Sequence, residues 1–227
     1  VDHPSKTEAE RCDEEMIARK CVVGIDPSVT SSGVAALWAD RQICCVSHQR
    51  IRPKRKPRAY PDRFTRYKEL VAGISGAVID ANPNLIVIEG YSYASRGRST
   101  ITLSEFGGLL RQELIGRFDC PIIEVAPSRL KKFVVAGNAS KERVHDVLKA
   151  QFPVFGPITQ LDELDACVAA TLGLYVLAVL DPSFQVQLPQ TFANECIIDT
   201  VNRIKSNDGG ATEQNAAWHV TALIDLL

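Results

Sequence analysis

Short apolar runs, separated by polar and turn-forming residues, divide this chain into readable elements. Cys21-Val22-Val23-Gly24-Ile25 is brief, apolar and rich in β-branched residues, as expected of a strand buried on both faces. A polar turn over Pro27–Ser32 leads into a second strand, Gly33–Trp38. Asp40-Arg41 turns the chain into a third, Ile43–Val46. Links this short predict an antiparallel meander. After a basic, proline-rich stretch from Arg52 to Pro61, Phe64, Tyr67, Leu70, Val71, Ile74, Val78 and Ile79 recur at helical spacing. They predict an amphipathic helix over Asp62–Ala81, ended by Asn82-Pro83-Asn84. Leu85–Glu89 then reads as a buried strand parallel to the first, because a helical crossover connects them.

Beyond a polar loop at Gly90–Ser99, a helix is marked by Leu103, Phe106, Leu109, Leu110, Leu114 and Ile115. Ile122–Val125 is a strand, and Pro127 suits the first turn of a short helix over Ser128–Val135. Gly137-Asn138 turns the chain, and Ser140 caps a helix reaching about Ala150. Leu161–Leu180 is a long apolar helix. The order predicts an α/β fold, a mixed five-stranded sheet with helices on both faces. Residues 1–20 read as a polar tail, 21–180 as the main domain, and 181–227 as a helical extension of unknown role with helices near Ala193–Ile204 and Thr212–Leu227.

Composition narrows the class. With 227 residues, 45% hydrophobic and 23% charged, the chain is an ordinary globular protein with a net charge of -1. Charge is nonetheless uneven: Arg50, Arg52, Lys54, Arg55, Lys56, Arg58, Arg63, Arg66 and Lys68 face only Asp62 in the same stretch. Seven cysteines without a Cys-x-x-Cys pair argue against a zinc site and for reduced, buried thiols in a cytosolic protein. The polar first twenty residues do not read as a signal peptide, Ala166–Leu180 reads as a core helix, and no membrane association is expected.

Four carboxylates carry the chemistry. Asp26 ends the first strand, Glu89 ends the fourth, and Asp162 and Asp165 share a face at the start of the long helix, beside an apolar face of Leu161, Leu164, Val168 and Leu172. Glu163 points elsewhere on the helical wheel and is the weaker candidate ligand. Acids at the ends of buried strands are expensive unless something pairs with them. Hard divalent cations prefer such oxygens, which points to metal-dependent phosphodiester chemistry. His48, His145 and His219 have no metal-ligand spacing and read as structural or exposed, with His145 the one able to approach the site.

The run Gly24-Ile25-Asp26-Pro27-Ser28-Val29-Thr30-Ser31-Ser32-Gly33 resembles the opening strand and turn of RuvC-type Holliday junction resolvases. Ile88-Glu89-Gly90-Tyr91 is similar to their second acidic strand, and Val134–Lys141 to the segment carrying a basic residue near the scissile phosphate. Asp162-Glu163-Leu164-Asp165-Ala166 resembles their closing helix, and all these motifs come in the family's order, nearer in texture to its phage and prophage branch.

The resemblance implies an RNase H-like fold, a homodimer, and two Mg²⁺ (or Mn²⁺) ions per active site. It implies symmetrical nicking of four-way DNA junctions in a bacterial cytoplasm, leaving 5′-phosphate and 3′-hydroxyl ends. Asp26 would bridge both metals, with Glu89, Asp162 and Asp165 completing their shells. Lys141 would contact the scissile phosphate, and Lys131 or Lys132 would supply a second lysine. Tyr91 or Tyr93 would wedge into the junction centre, beside Arg96 and Arg98. The stretch containing Arg52, Lys54, Arg55 and Lys56 would track a DNA arm.

Other readings are a nuclease of the same fold acting on forks, flaps or packaging intermediates, and a non-catalytic DNA-binding relative. Asp26–Ser31 and Asp208–Thr212 also resemble the phosphate loops of actin-like ATPases and sugar kinases. Against that, Asp208 follows the polar Lys205-Ser206-Asn207 instead of a buried strand, and the chain is short for two such domains.

Overall fold

The structure is a computed structural model and describes residues 19–40, 42–53, 62–90, 98–181, 183–184, 186, 192 and 194–208. Strands β1 (Lys20–Asp26), β2 (Ser32–Ala39), β3 (Ile43–Ile51), β4 (Leu85–Glu89) and β5 (Ile122–Val125) form a 5-stranded sheet in the order β3-β2-β1-β4-β5. β1 pairs antiparallel with β2, β2 antiparallel with β3, and β4 parallel with both β1 and β5. The helices are α1 (Asp62–Ala81), α2 (Arg98–Arg117), α3 (Pro127–Val134), α4 (Lys141–Gln151), α5 (Leu161–Leu180) and α6 (Asn194–Asp208). A 3-10 turn, Pro153–Phe155, joins α4 to α5. The expected mixed sheet is therefore present.

Strand parity divides the core in two. Cys21, Val23, Ile25, Ile86 and Ile88 point to one face, where α1 and α2 bring Tyr67, Leu70, Ile74, Phe106 and Leu110. Val22, Leu85 and Val87 point to the other, against Leu164, Ala166, Ala170 and Leu174 of α5. Alternate residues of a strand face opposite ways, so a strand between two helical layers must be apolar throughout. By the same parity, Asp26 and Glu89 belong to the α5 face. At the far end of the strands, Asn82 takes a φ of 47° where α1 stops, and the Asn84 side chain accepts a 2.8 Å hydrogen bond from the Cys21 amide. That contact helps set the β1–β4 register, in which Ile25 pairs with Ile88 and the two acids follow side by side.

Helix α5 is long and apolar enough to cross a membrane, yet it lies in the core across β1, β2 and β4. A helix apolar on all sides is at home in such a place. Small residues let it come close. A Cβ on Gly24 would lie 2.0 Å from the Ala166 carbonyl oxygen, and one on Gly33 would lie 1.9 Å from that of Asp162. The two strand glycines therefore seat the first turns of α5 directly on the ends of β1 and β2. Helix α6 adds Cys196, Ile197 and Val201 to the same core as α5 and α3, and ion pairs Arg129–Asp199 and Lys132–Glu195 tie it to α3.

Three expectations need correction. β3 runs on to Ile51, beyond the expected Val46, because it is an edge strand whose outer positions Ser47, His48, Gln49 and Arg50 are polar and exposed. For the same reason Cys44 and Cys45 are exposed thiols, not buried ones. Leu161 is 52% exposed, because it opens α5 beyond the cover of the sheet.

Candidate active site

Asp26, Glu89 and Asp165 converge at the carboxyl ends of β1 and β4. One oxygen from each lies within 4.8 Å of the others. The strands deliver the first two by parity and register. α5 delivers the third, since its residue Ala166 sits over Gly24, two residues before Asp26 on the same strand face.

Two side chains of α4 grip Asp165. Lys141 Nζ donates to its Oδ2, and His145 Nε2 donates to its Oδ1 at 2.8 Å. Ser140 positions this helix, its hydroxyl accepting from the Arg143 amide at 3.2 Å as the expected cap. Lys131 Nζ donates to the Ala139 carbonyl at 3.0 Å, bracing the turn before α4. Lys132 points to α6 and pairs with Glu195 at 2.8 Å. Of the two lysines proposed for a second basic role, Lys131 is therefore the one beside the site.

Asp162 lies one turn from Asp165 but turns toward the sheet edge. Arg50 Nε donates to its Oδ2 at 2.7 Å, and Ser31 Oγ donates to the same oxygen. Arg50 also reaches the Gln160 side chain. The placement follows from register: Arg50 pairs with Gly33, and Gly33 supports the Asp162 backbone. Glu163 is buried beside β3, where His48 Nδ1 donates to its Oε2 at 2.9 Å, so it too stands apart from the three converging acids. Arg52 is exposed just past β3, and Arg98 opens α2. Tyr91, Tyr93, Arg96, Lys54, Arg55 and Lys56 lie outside the described residues.

The charges are unbalanced. Burial, and then repulsion from Asp165, push the Asp26 carboxyl up to about 7, although Lys141 pulls the other way. Burial, then Asp26 and Asp165, push Glu89 up to about 8. Asp165 behaves differently: burial would raise it, but the His145 and Lys141 hydrogen bonds outweigh burial and hold it below its ordinary value. Burial would lower Lys141, yet its hydrogen bond and attraction to Asp165 leave it raised. Burial and mutual repulsion thus disfavour the ionised forms of Asp26 and Glu89, and a cation among the three acids would favour them. An all-oxygen, partly buried donor set with excess negative charge fits a hard divalent cation.

A pH dependence follows. Asp26 and Glu89 have ordinary values of 3.8 and 4.5, and both are raised in the folded protein. Between those ordinary values and about 7 to 8 the folded state binds more protons than the unfolded chain. Their contribution to stability is complete below the unfolded values and is lost as pH rises through the folded ones. The melting temperature of the metal-free protein is therefore expected to fall from about pH 5 to about pH 8, and added Mg²⁺ to restore more of it at the higher pH. A metal-free melting temperature that rises over this interval would contradict the assignment.

Comparison with known proteins gives the chain a family and a fold. The family model described as Crossover junction endodeoxyribonuclease RuvC matches residues 22–172. The RuvC crossover junction endodeoxyribonuclease of Chlamydia felis is 36% identical over 127 residues, 54% of this chain and 72% of that protein. The enzyme of the same name from Christiangramia forsetii is 23% identical over 160 residues, 70% of this chain and 81% of that one. Among solved structures, Thermus thermophilus RuvC superposes with a TM-score of 0.56 at 16% identity, covering 70% of this chain and 96% of that one. The same protein in complex with a Holliday junction substrate gives 0.54 at 15% identity. These two share the fold, a mixed sheet of the RNase H-like kind. The family match spans the strands and helices that bring Asp26, Glu89 and Asp165 together, and the chain belongs to the RuvC family of crossover junction endodeoxyribonucleases.

Proposed function

We propose that this protein is a structure-selective endodeoxyribonuclease that resolves four-way DNA junctions by metal-dependent phosphodiester hydrolysis. The observation that carries the reading is the convergence of Asp26, Glu89 and Asp165, with Lys141 beside them, on the fold of a junction-nuclease family. The cation is Mg²⁺, replaceable by Mn²⁺, with two ions per site. Asp26, Glu89 and Asp165 would hold the ions, which would supply Lewis-acid activation of a water and stabilisation of the leaving oxygen.

The chain's own groups prepare that chemistry. Asp26 lies within reach of both Glu89 and Asp165 and, by the family resemblance, would be the acid shared by both ions. Glu89 and Asp165 would complete the donor set. Asp162 would join them only by giving up Arg50 and Ser31 at its Oδ2. Lys141 is half-exposed, with a side chain 47% accessible, so it can leave Asp165 and meet the scissile phosphate. The products carry a 5′-phosphate and a 3′-hydroxyl.

A four-way junction has two symmetry-related strands to cut, so one active site is insufficient for paired nicks. A homodimer with twofold symmetry supplies two. Ile79, Ile101 and Ile115 are exposed apolar side chains on α1 and α2, positions available to a second copy. Arg52, Lys54, Arg55, Lys56, Arg96 and Arg98 hold the phosphates of the arms, and Tyr91 or Tyr93 stacks at the centre. The nuclease unit is residues 21–180, acting in the cytoplasm of a bacterial cell.

The test is cleavage of an end-labelled synthetic four-way junction, with linear duplex and forked DNA alongside, in Mg²⁺ and in EDTA. Paired nicks confined to the junction and dependent on metal are expected. Cutting of forks or flaps at the same rate would widen the substrate, and absence of metal-dependent cutting on any DNA would overturn the proposal.

A further inference from the structure

Asp165 has two donors of unlike character. Lys141 and His145 are one helical turn apart on α4, and each takes a different oxygen of the carboxylate. The Lys141 side chain is 47% exposed, whereas that of His145 is 5% exposed. A half-exposed ammonium on a flexible stem can exchange one anion for another. A ring enclosed between α4 and α5 stays where it is. His145 Nδ1 is buried without a hydrogen-bond partner among the described residues. An apolar side chain would fill the same space without leaving that orphan. Among the described residues the ring makes one hydrogen bond, to Asp165.

We propose that His145 is the positioning residue that holds the Asp165 carboxylate toward Asp26 and Glu89 while Lys141 is engaged with the scissile phosphate. The proposal rests on reading these three acids as the cation site. Nε2–H occupies one lone pair of Oδ1. The other lone pair, and all of Oδ2 once Lys141 departs, remain for a cation. Without the imidazole, Asp165 loses its orientation whenever Lys141 lets go, whether a cation displaces the ammonium from Oδ2 in the absence of DNA or the scissile phosphate draws it away. The role requires a donor at the Nε2 position and nothing else of the ring. Such donors behind a metal-binding group commonly alter affinity by one or two orders of magnitude.

The experiment is Mn²⁺ binding to the full chain by isothermal titration calorimetry without DNA, for wild type, His145→Leu, His145→Gln and Asp26→Asn. Leu is expected to weaken Mn²⁺ binding by roughly tenfold or more. Gln, whose amide nitrogen reaches the Nε2 position, is expected to recover most of it. Single-turnover junction cleavage should follow the same order, with junction binding in EDTA unchanged. Wild-type Mn²⁺ affinity in His145→Leu would overturn the proposal. So would equal weakening in Leu and Gln, which would mark a packing role. If His145→Leu does not fold, His145→Asn replaces it, its shorter amide falling short of Oδ1. Asp26→Asn separates the two levels of inference. Wild-type Mn²⁺ affinity in that variant would remove the cation site itself, whereas its loss together with an unaffected His145→Leu would remove only the role of His145.

Discussion

Asp26→Asn is expected to slow junction cleavage by roughly a thousandfold or more, about 4 kcal/mol of barrier. Junction binding in EDTA is expected to stay within about twofold of wild type, because phosphate contacts from arginine and lysine carry the affinity. The substitution preserves shape and removes one anionic oxygen from the centre of the three-acid cluster. It also makes a second, opposite change. Asp26 is pushed up to about 7 by burial and by Asp165, and it in turn raises Glu89. Removing its charge relieves both, so metal-free Asp26→Asn is expected to melt above the wild type at about pH 8, where the acids would otherwise ionise. With saturating Mg²⁺ the order reverses, since only the wild type gains the stabilisation of the bound cation. Near wild-type cleavage in this variant would remove Asp26 from the site. A lower metal-free melting temperature would instead mean that its charge is balanced by something other than a cation.

Much of this arrangement is legible in the residues themselves. A five-residue apolar run ending in an acid, twice, with a helix between, implies two parallel strands with adjacent acidic ends. β1 and β4 realise that, with Ile25 opposite Ile88. Helix periods locate α1 and α5 at the expected bounds. The sequence is weaker where one residue's role depends on an edge. Asp162 and Asp165 are equivalent on a helical wheel, and only the packing of α5 across Gly24 and Gly33 sends one toward Asp26 and the other toward Arg50. Arg50 reads as part of a basic loop because the outer face of an edge strand is as polar as a loop. His145 had a partial signal. It stands four residues after Lys141 in a capped helix, so the two share a face, but its burial against α5 is set by packing that the spacing does not reveal. His48 had none, because its partner Glu163 is identified only by the β3–α5 contact.

The seating of α5 supplies the other large effect. Gly24→Ala adds a single methyl group, but its carbon would stand 2.0 Å from the Ala166 carbonyl oxygen and 2.5 Å from the Ala170 amide nitrogen. Both are backbone atoms, so no rotamer change relieves the clash, and the helix must lift from the sheet. Overpacking against flexible side chains costs about 1–3 kcal/mol, and against fixed backbone the upper end or more is expected. At about 3 kcal/mol a chain of this size loses roughly 6–12 °C in melting temperature. Because the lifted segment carries Asp165, cleavage is expected to fall too, even at temperatures where the variant remains folded. Gly76→Ala is the internal control. It makes the same chemical change within α1, where nothing lies within 4 Å of the added carbon. There the methyl group only reduces the freedom of the unfolded chain, and a gain of about 0.5–1 kcal/mol is expected, with cleavage unchanged. Opposite signs from one substitution at two glycines would show that close approach of α5 to β1, and not glycine content, sets both stability and the position of the third acid. If Gly24→Ala melts with the wild type and cuts at its rate, α5 does not rest on β1 as described, and the geometry that joins Asp165 to Asp26 must come from elsewhere.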